Sequence, residues 1–150
     1  MFVCYGNICR SPMAEFMMKD LVKKAGEEKN FFIKSSATSS EELGSPVHRG
    51  TRRVLDKYGI LYSGKYAEKL TASDYGEYDY FIGMDKNNLR AMERIFGGDK
   101  EGKIYRLLDF SSVPKDVADP YWTGDFDATE KDVKEGVRDF YEFLKGQKHK

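Results

Sequence analysis

A short apolar run, Met1-Phe2-Val3, stops at Cys4 and is followed by Tyr5-Gly6-Asn7-Ile8-Cys9-Arg10-Ser11-Pro12 and then by an amphipathic stretch. Few folds accommodate this order. It reads as a strand, a tight loop and a helix, with a thiol at the base of the loop and an arginine six positions further on. Such a loop turns successive backbone N–H groups toward its centre, and a helix N-terminus adds roughly half a positive charge, so an oxyanion is held there. The sulfur of Cys4 then lies beneath the bound atom. Gly6 and Asn7 are residue types that enter left-handed backbone angles cheaply, as a turn this tight requires. Arg10 offers a planar fork for two oxygens. Ser11 carries a hydroxyl for the sulfur or for the helix N-terminus, and Pro12 suits the first helical position. The helix start and the arginine both favour the ionised form of a thiol placed there.

Downstream, short apolar runs alternate with helical patterns, which predicts an α/β fold with a parallel sheet covered on both faces. Candidate strands are Met1 to Val3, Phe31 to Ser35, Tyr78 to Met84 and Lys103 to Leu108. Ala14, Met17, Met18, Leu21, Val22 and Ala25 mark a first helix that ends at Gly26. Val54, Leu55 and Tyr58 mark a second ending near Gly59, and Leu89, Met92, Ile95 and Phe96 a third ending at Gly97-Gly98. Val133, Val137, Phe140, Tyr141 and Leu144 form the core stripe of a last helix, with Asp127 and Glu130 as its capping pair. Ser36 to Pro46 reads as a loop, and Lys145 to Lys150 as a frayed tail. In open α/β sheets ligands bind beyond the carboxyl ends of the strands at a topological switch point, which is where the Cys4 loop falls.

The 150 residues suit one domain with a core that needs neither disulfide nor metal. The 25 basic and 25 acidic residues cancel, so no global field recruits nucleic acid or an anionic membrane. No apolar run approaches the ~20 residues of a membrane span, and no signal peptide is expected before the first strand. A cytoplasmic protein is expected. Two cysteines in one loop fit a reducing compartment, and together with the separated His48 and His149 they lack zinc-ligand spacing.

The run Cys4 to Pro12, the later Asp119-Pro120-Tyr121-Trp122, and Met84-Asp85 followed by Asn88-Leu89 resemble the low-molecular-weight protein tyrosine phosphatases, in the right order and over nearly the whole chain. The resemblance implies a three-layer, flavodoxin-like sandwich whose four parallel strands run in the order 2-1-3-4, with the phosphate-binding loop after strand 1. It also implies a metal-free and cofactor-free enzyme acting on phosphotyrosine proteins through a phosphocysteine. Cys4 would be the nucleophile, Arg10 and the amides of Tyr5, Gly6, Asn7, Ile8, Cys9 and Ser11 the phosphate cradle, and Asp119 the general acid and then base. Inorganic phosphate would be product and inhibitor, and the enzyme a monomer.

Other residues have two roles open to them. Asp85 either orients Arg10 or caps the helix beginning there. Tyr121 and Trp122 form one wall of an aryl slot, with core packing the rival role of Trp122. Cys9 is either a packed spacer or a second sulfur that traps oxidised Cys4 as a disulfide. Ile8 stands where phosphoarginine-directed relatives carry threonine, which favours phosphotyrosine. The absence of cysteines after Cys9 argues against arsenate reduction. A non-catalytic phosphopeptide-binding module needs no Asp119, and a phosphocysteine carrier needs no Arg10. Two positions depart from the pattern. Glu41-Glu42 stands where relatives place an aromatic wall, and the carboxylates there repel acidic phosphopeptides. Lys65-Tyr66-Ala67-Glu68-Lys69 stands where many relatives read His-x-Ala-Arg-Gln, with the histidine buttressing the loop.

Overall fold

A computed structural model describes residues 1–148. Strands β1 (Phe2–Cys4), β2 (Ser35–Ala37), β3 (Phe81–Gly83) and β4 (Ile104–Arg106) form one parallel sheet in the order β2-β1-β3-β4. The alternation of side chains along a strand decides what each face buries. Phe2 and Cys4 enter the larger core with Ile82, whereas Val3 enters a smaller one with Phe81, Leu70 and Met92. Helices α1 (Arg10–Lys24), α2 (Arg49–Lys57) and α5 (Phe126–Lys148) cover the first face, and α3 (Lys86–Phe96) covers the second. The short helix α4 (Pro120–Thr123) lies beyond the strand ends. β2 and β3 leave β1 on opposite sides, so Cys4, at the end of β1, sits at the switch point.

β1 is shifted by one residue from its expected span, β3 and β4 are shorter than the apolar runs that predicted them, and β2 is both shorter and displaced. Phe31, Phe32 and Ile33 precede it; Phe32 is 68% exposed and stacks on Tyr78 with ring centroids 5.5 Å apart. The paired residues are Ser35, Ser36 and Ala37, all buried. The expected loop from Ser36 therefore loses its first two residues to the sheet. Small side chains fit because α1 packs closely over this strand, and polar ones because Ser35 belongs to the site described below.

Helix starts also differ. α1 begins at Arg10 with Cys9 as its N-cap, which makes Pro12 its third residue instead of its first. The first four helical N–H groups lack intrahelical partners, so proline fits anywhere in that turn. The cap of α5 is Asp125, whose Oδ1 accepts from Ala128 N–H at 2.9 Å, and not the Asp127–Glu130 pair. Glu130 instead fastens α5 to α2, accepting from Lys57 Nζ at 2.6 and 2.7 Å and from the Tyr58 hydroxyl. The expected tail from Lys145 is helical through Lys148, while His149 and Lys150 lie outside the described residues. α3 stops at Gly97, which takes the left-handed φ of 71° that ends helices cheaply. Among the described residues no helix is long and apolar enough to cross a membrane.

Candidate active site

The chain leaves β1 at Cys4 and reverses through Asn7, the non-glycine residue at φ 58°. Gly6 does not share that conformation. A Cβ at this position would meet Glu42 Cγ at 3.5 Å, an ordinary van der Waals contact, which places Glu42 beside Gly6.

Asn7 sets the direction of every hydrogen bond behind the sulfur. Its Oδ1 accepts from Glu68 N–H at 3.1 Å, which turns Nδ2 toward two hydroxyls, Ser11 Oγ at 2.8 Å and Ser35 Oγ at 2.9 Å. An amide nitrogen only donates, so both hydroxyls accept from it and must direct their own protons elsewhere. Ser35 directs its proton to Glu15 Oε1 at 2.5 Å, and Ser11 directs its proton to Cys4 Sγ at 3.0 Å. Asn7 N–H adds a second donor to the sulfur at 3.3 Å. Two donors are therefore aimed at one sulfur.

Glu15, 2% exposed, anchors the far end of this chain. Its Oε2 accepts from Lys19 Nζ at 2.6 Å, and Lys65 Nζ lies 3.8 Å from its Oε1 while donating to Ser35 O at 2.8 Å. Burial pushes the Lys65 ammonium toward losing its proton, and Glu15 acts in the opposite direction. The departure at Lys65 is therefore a rebuilt support: the lysine holds the carbonyl and the carboxylate that fix Ser35.

Arg10 is 2% exposed and is held between two carboxylates and a carbonyl. Its Nη1 donates to Asp85 Oδ2 at 2.7 Å and to Val117 O at 2.8 Å, and its Nη2 approaches Asp119 Oδ2 at 3.4 Å. Burial works against its charge, but Cys4, Asp85 and Asp119 outweigh it and raise the guanidinium's hold on its proton. Asp85 fills both roles open to it, because its Oδ1 accepts from Asn88 N–H at 2.9 Å and so caps α3. Asp119 caps α4 through Tyr121 N–H at 3.1 Å and points its other oxygen at Arg10. Pro120 behind it fixes the first turn of that helix.

These groups surround a cavity of about 150 Å³. The buried Cys4, Ile8, Cys9 and Arg10 form its floor, and the more exposed Tyr5, Gly6, Glu41, Glu42, Asp119, Tyr121 and Trp122 line the rest. Trp122 is 82% exposed, which removes the core-packing role and leaves it at the mouth, edge-on to Tyr121 at 5.3 Å. Asn7 and Ser11 do not line the cavity; they stand behind the sulfur. Cys9 is buried, and burial together with the neighbouring Cys4 pushes its thiol up to about 12. Both cysteines are free. Among the described residues no group of His, Cys, Asp and Glu is placed to hold a metal ion.

Sequence reading missed several supports. Val117 acts through a carbonyl and Glu68 through an N–H, which any residue supplies. Ser35 and Glu15 lie in elements with no motif of their own. The departure at Lys65 was the one signal pointing to this region.

A thiol at a strand end, cradled by a helix N-terminus, with an arginine and a carboxylate above it, defines a phosphate-handling cysteine enzyme. The family profile of the low molecular weight phosphotyrosine protein phosphatases matches residues 1–150. The low molecular weight protein-tyrosine-phosphatase YfkJ of Bacillus subtilis is 36% identical over 150 residues, covering 99% of this chain and 96% of that protein. Its crystal structure superposes with a TM-score of 0.94 over 98% of this chain and 94% of the other. The low molecular weight protein tyrosine phosphatase SP-PTP of Streptococcus pyogenes gives a TM-score of 0.85 at 39% identity, over 95% and 90% of the two chains. The chain belongs to the low-molecular-weight protein tyrosine phosphatase family and is an enzyme of that class.

Proposed function

We propose that this enzyme hydrolyses phosphotyrosine on proteins through a phosphocysteine on Cys4. The observation that carries the reading is the sulfur itself, held by Ser11 and Asn7 N–H under a cavity that Arg10 and Asp119 also line. The thiolate attacks phosphorus in line; an S–P bond forms as the P–O bond to the phenol breaks. Arg10 and the loop amides hold the remaining oxygens, and Asp119 gives its proton to the departing phenolate. Asp119, now a carboxylate, takes a proton from water as that water attacks phosphorus. The S–P bond breaks, and inorganic phosphate leaves with the thiolate restored. Phosphate, as product, competes with substrate. Ile8 puts an apolar side chain on the cavity floor and supports an aryl over a phosphoarginine substrate.

The enzyme acts as one domain comprising residues 1–150, as a cytoplasmic monomer, without cofactor, nucleic acid or membrane. Cys4→Ser abolishes turnover of para-nitrophenyl phosphate. Asp119→Ala keeps substrate binding and lowers kcat by about 100-fold or more, as for other lost general acids. Full activity in either variant refutes the mechanism, and a higher kcat/KM on phosphoserine or phosphoarginine peptides than on phosphotyrosine peptides refutes the substrate.

Cys9 protects the nucleophile. Peroxide oxidises Cys4 to a sulfenic acid; the Cys9 sulfur then displaces water and forms a disulfide that thiols reduce. One cause of the high thiol value at Cys9 is the charge on Cys4, which oxidation removes. After peroxide, dithiothreitol restores more activity to the wild type than to Cys9→Ser, and equal recovery refutes the role.

A further inference from the structure

We propose that Tyr5 and Glu41 act as a unit that makes this phosphatase select phosphotyrosine with a lysine or arginine beside it in the substrate chain. The inference rests on the phosphotyrosine reading and adds the substrate's local sequence to it.

Tyr5 follows the nucleophile, is 46% exposed and lines the cavity together with Tyr121 and Trp122. It is held at both ends. Its carbonyl accepts from Ser39 N–H at 3.1 Å and from Ser39 Oγ at 3.0 Å, and its hydroxyl donates to Glu41 Oε1 at 2.7 Å. A ring fixed in this way supplies an aromatic side to the slot at little cost in side-chain freedom. Glu41 therefore orients Tyr5, and the same bond holds the Glu41 carboxylate at the mouth. Glu42, beside Gly6, accepts from Ser45 Oγ at 3.3 Å.

The charge balance of this rim then identifies what it accepts. Carboxylates around and behind the site have cations of their own: the half-buried Asp85 and Asp119 have Arg10, and the buried Glu15 has Lys19, as Glu130 has Lys57 between the helices. Among the described residues Glu41 and Glu42 pair with no lysine or arginine, and Arg10, the cation of the cavity lining, is already shared between two carboxylates. A dianionic phosphate entering past Glu41 and Glu42 meets repulsion at the mouth, although the loop below attracts it. A cation on the residue next to phosphotyrosine offsets that repulsion, and an acidic neighbour adds to it.

The test measures kcat/KM on matched phosphotyrosine peptides with basic or acidic flanks, and KM and kcat on para-nitrophenyl phosphate. Wild type prefers the basic flank about fivefold at low salt, and the ratio shrinks at high salt. Glu41→Gln, which keeps an acceptor for Tyr5, brings the ratio toward one. Tyr5→Leu raises KM for para-nitrophenyl phosphate about fivefold with a smaller change in kcat. Tyr5→Phe, which keeps the ring and frees Glu41, lowers the flank ratio but raises KM less than Tyr5→Leu does. Equal kcat/KM on the two peptides in wild type, or a ratio unchanged in Glu41→Gln, overturns the charge selection. A KM unchanged in Tyr5→Leu overturns the ring's part. Turnover of none of these substrates overturns the phosphatase reading itself and this inference with it.

Discussion

At the scale of single residues, the site depends on side chains that never touch the substrate. Asn7 accepts from Glu68 N–H and donates to two hydroxyls, and from there the polarity branches, Ser11 passing it to the sulfur and Ser35 to Glu15. Ser35→Ala breaks the outer branch. Asn7 Nδ2 loses one acceptor and the buried Glu15 loses a donor, so the variant is destabilised by about 1–3 kcal/mol. Cys4 keeps its Ser11 bond but sits in a loop with one fewer restraint, so kcat on para-nitrophenyl phosphate falls. Urea unfolding and steady-state kinetics check both parts, and unchanged values in both refute the relay. The nucleophile loop was legible in the sequence because its residues are contiguous and each has a type-specific job. The relay was not, since Glu15, Ser35 and Lys65 come from three separated segments and are joined only by the packing of α1 against β2.

Elements carry the next level of the design, and the contact between α2 and α5 is the tightest. A Cβ at Gly50 would lie 2.4 Å from the Phe126 ring, which is buried and stacked on His48 at 5.1 Å. The ring cannot swing away cheaply, so Gly50→Ala forces the start of α5 outward. About 1–3 kcal/mol of stability is lost through overpacking, measured by urea unfolding. Phe126 follows closely on α4, whose cap is Asp119, so the same shift moves the proposed acid and lowers kcat on para-nitrophenyl phosphate more than it raises KM. A variant as stable and as active as wild type would contradict this coupling. Helix ends were readable where glycine enters the left-handed region, as at Gly97 and Gly59. β2 was misplaced because its three residues are small or polar, while the aromatic run before it reads as strand but lies outside the ladder. Gly50 gives no sequence signal, because a glycine near a helix start looks like a turn residue until the facing ring is known.

Across the whole molecule, the alternation of apolar strands and amphipathic helices determined the layers, and the switch point located the site. Sequence alone did not specify the polar ties that fasten distant elements, and these make the fold sensitive to acid. Glu130 joins α5 to α2, and Asp99 accepts from the Tyr75 hydroxyl at 2.6 Å and from the N–H groups of Lys103 and Ile104 at 2.8 and 3.1 Å, joining the connection between α3 and β4 to the turn before β3. Burial alone would raise both carboxyls. Hydrogen bonds outweigh it and hold Glu130 below its ordinary 4.5 and Asp99 below its ordinary 3.8. A carboxyl whose folded value is depressed binds protons more readily when unfolded, so its stabilisation is complete above the unfolded value and is lost as pH falls through the folded one. The urea midpoint therefore holds steady in this respect from neutrality to about pH 5 and declines below that. Glu130→Gln lowers the midpoint at neutral pH, where the ion pair with Lys57 is lost, and makes the acid decline shallower than in wild type. If the variant and wild type decline in parallel, Glu130 is not one of the groups that sets the acid limit of this fold.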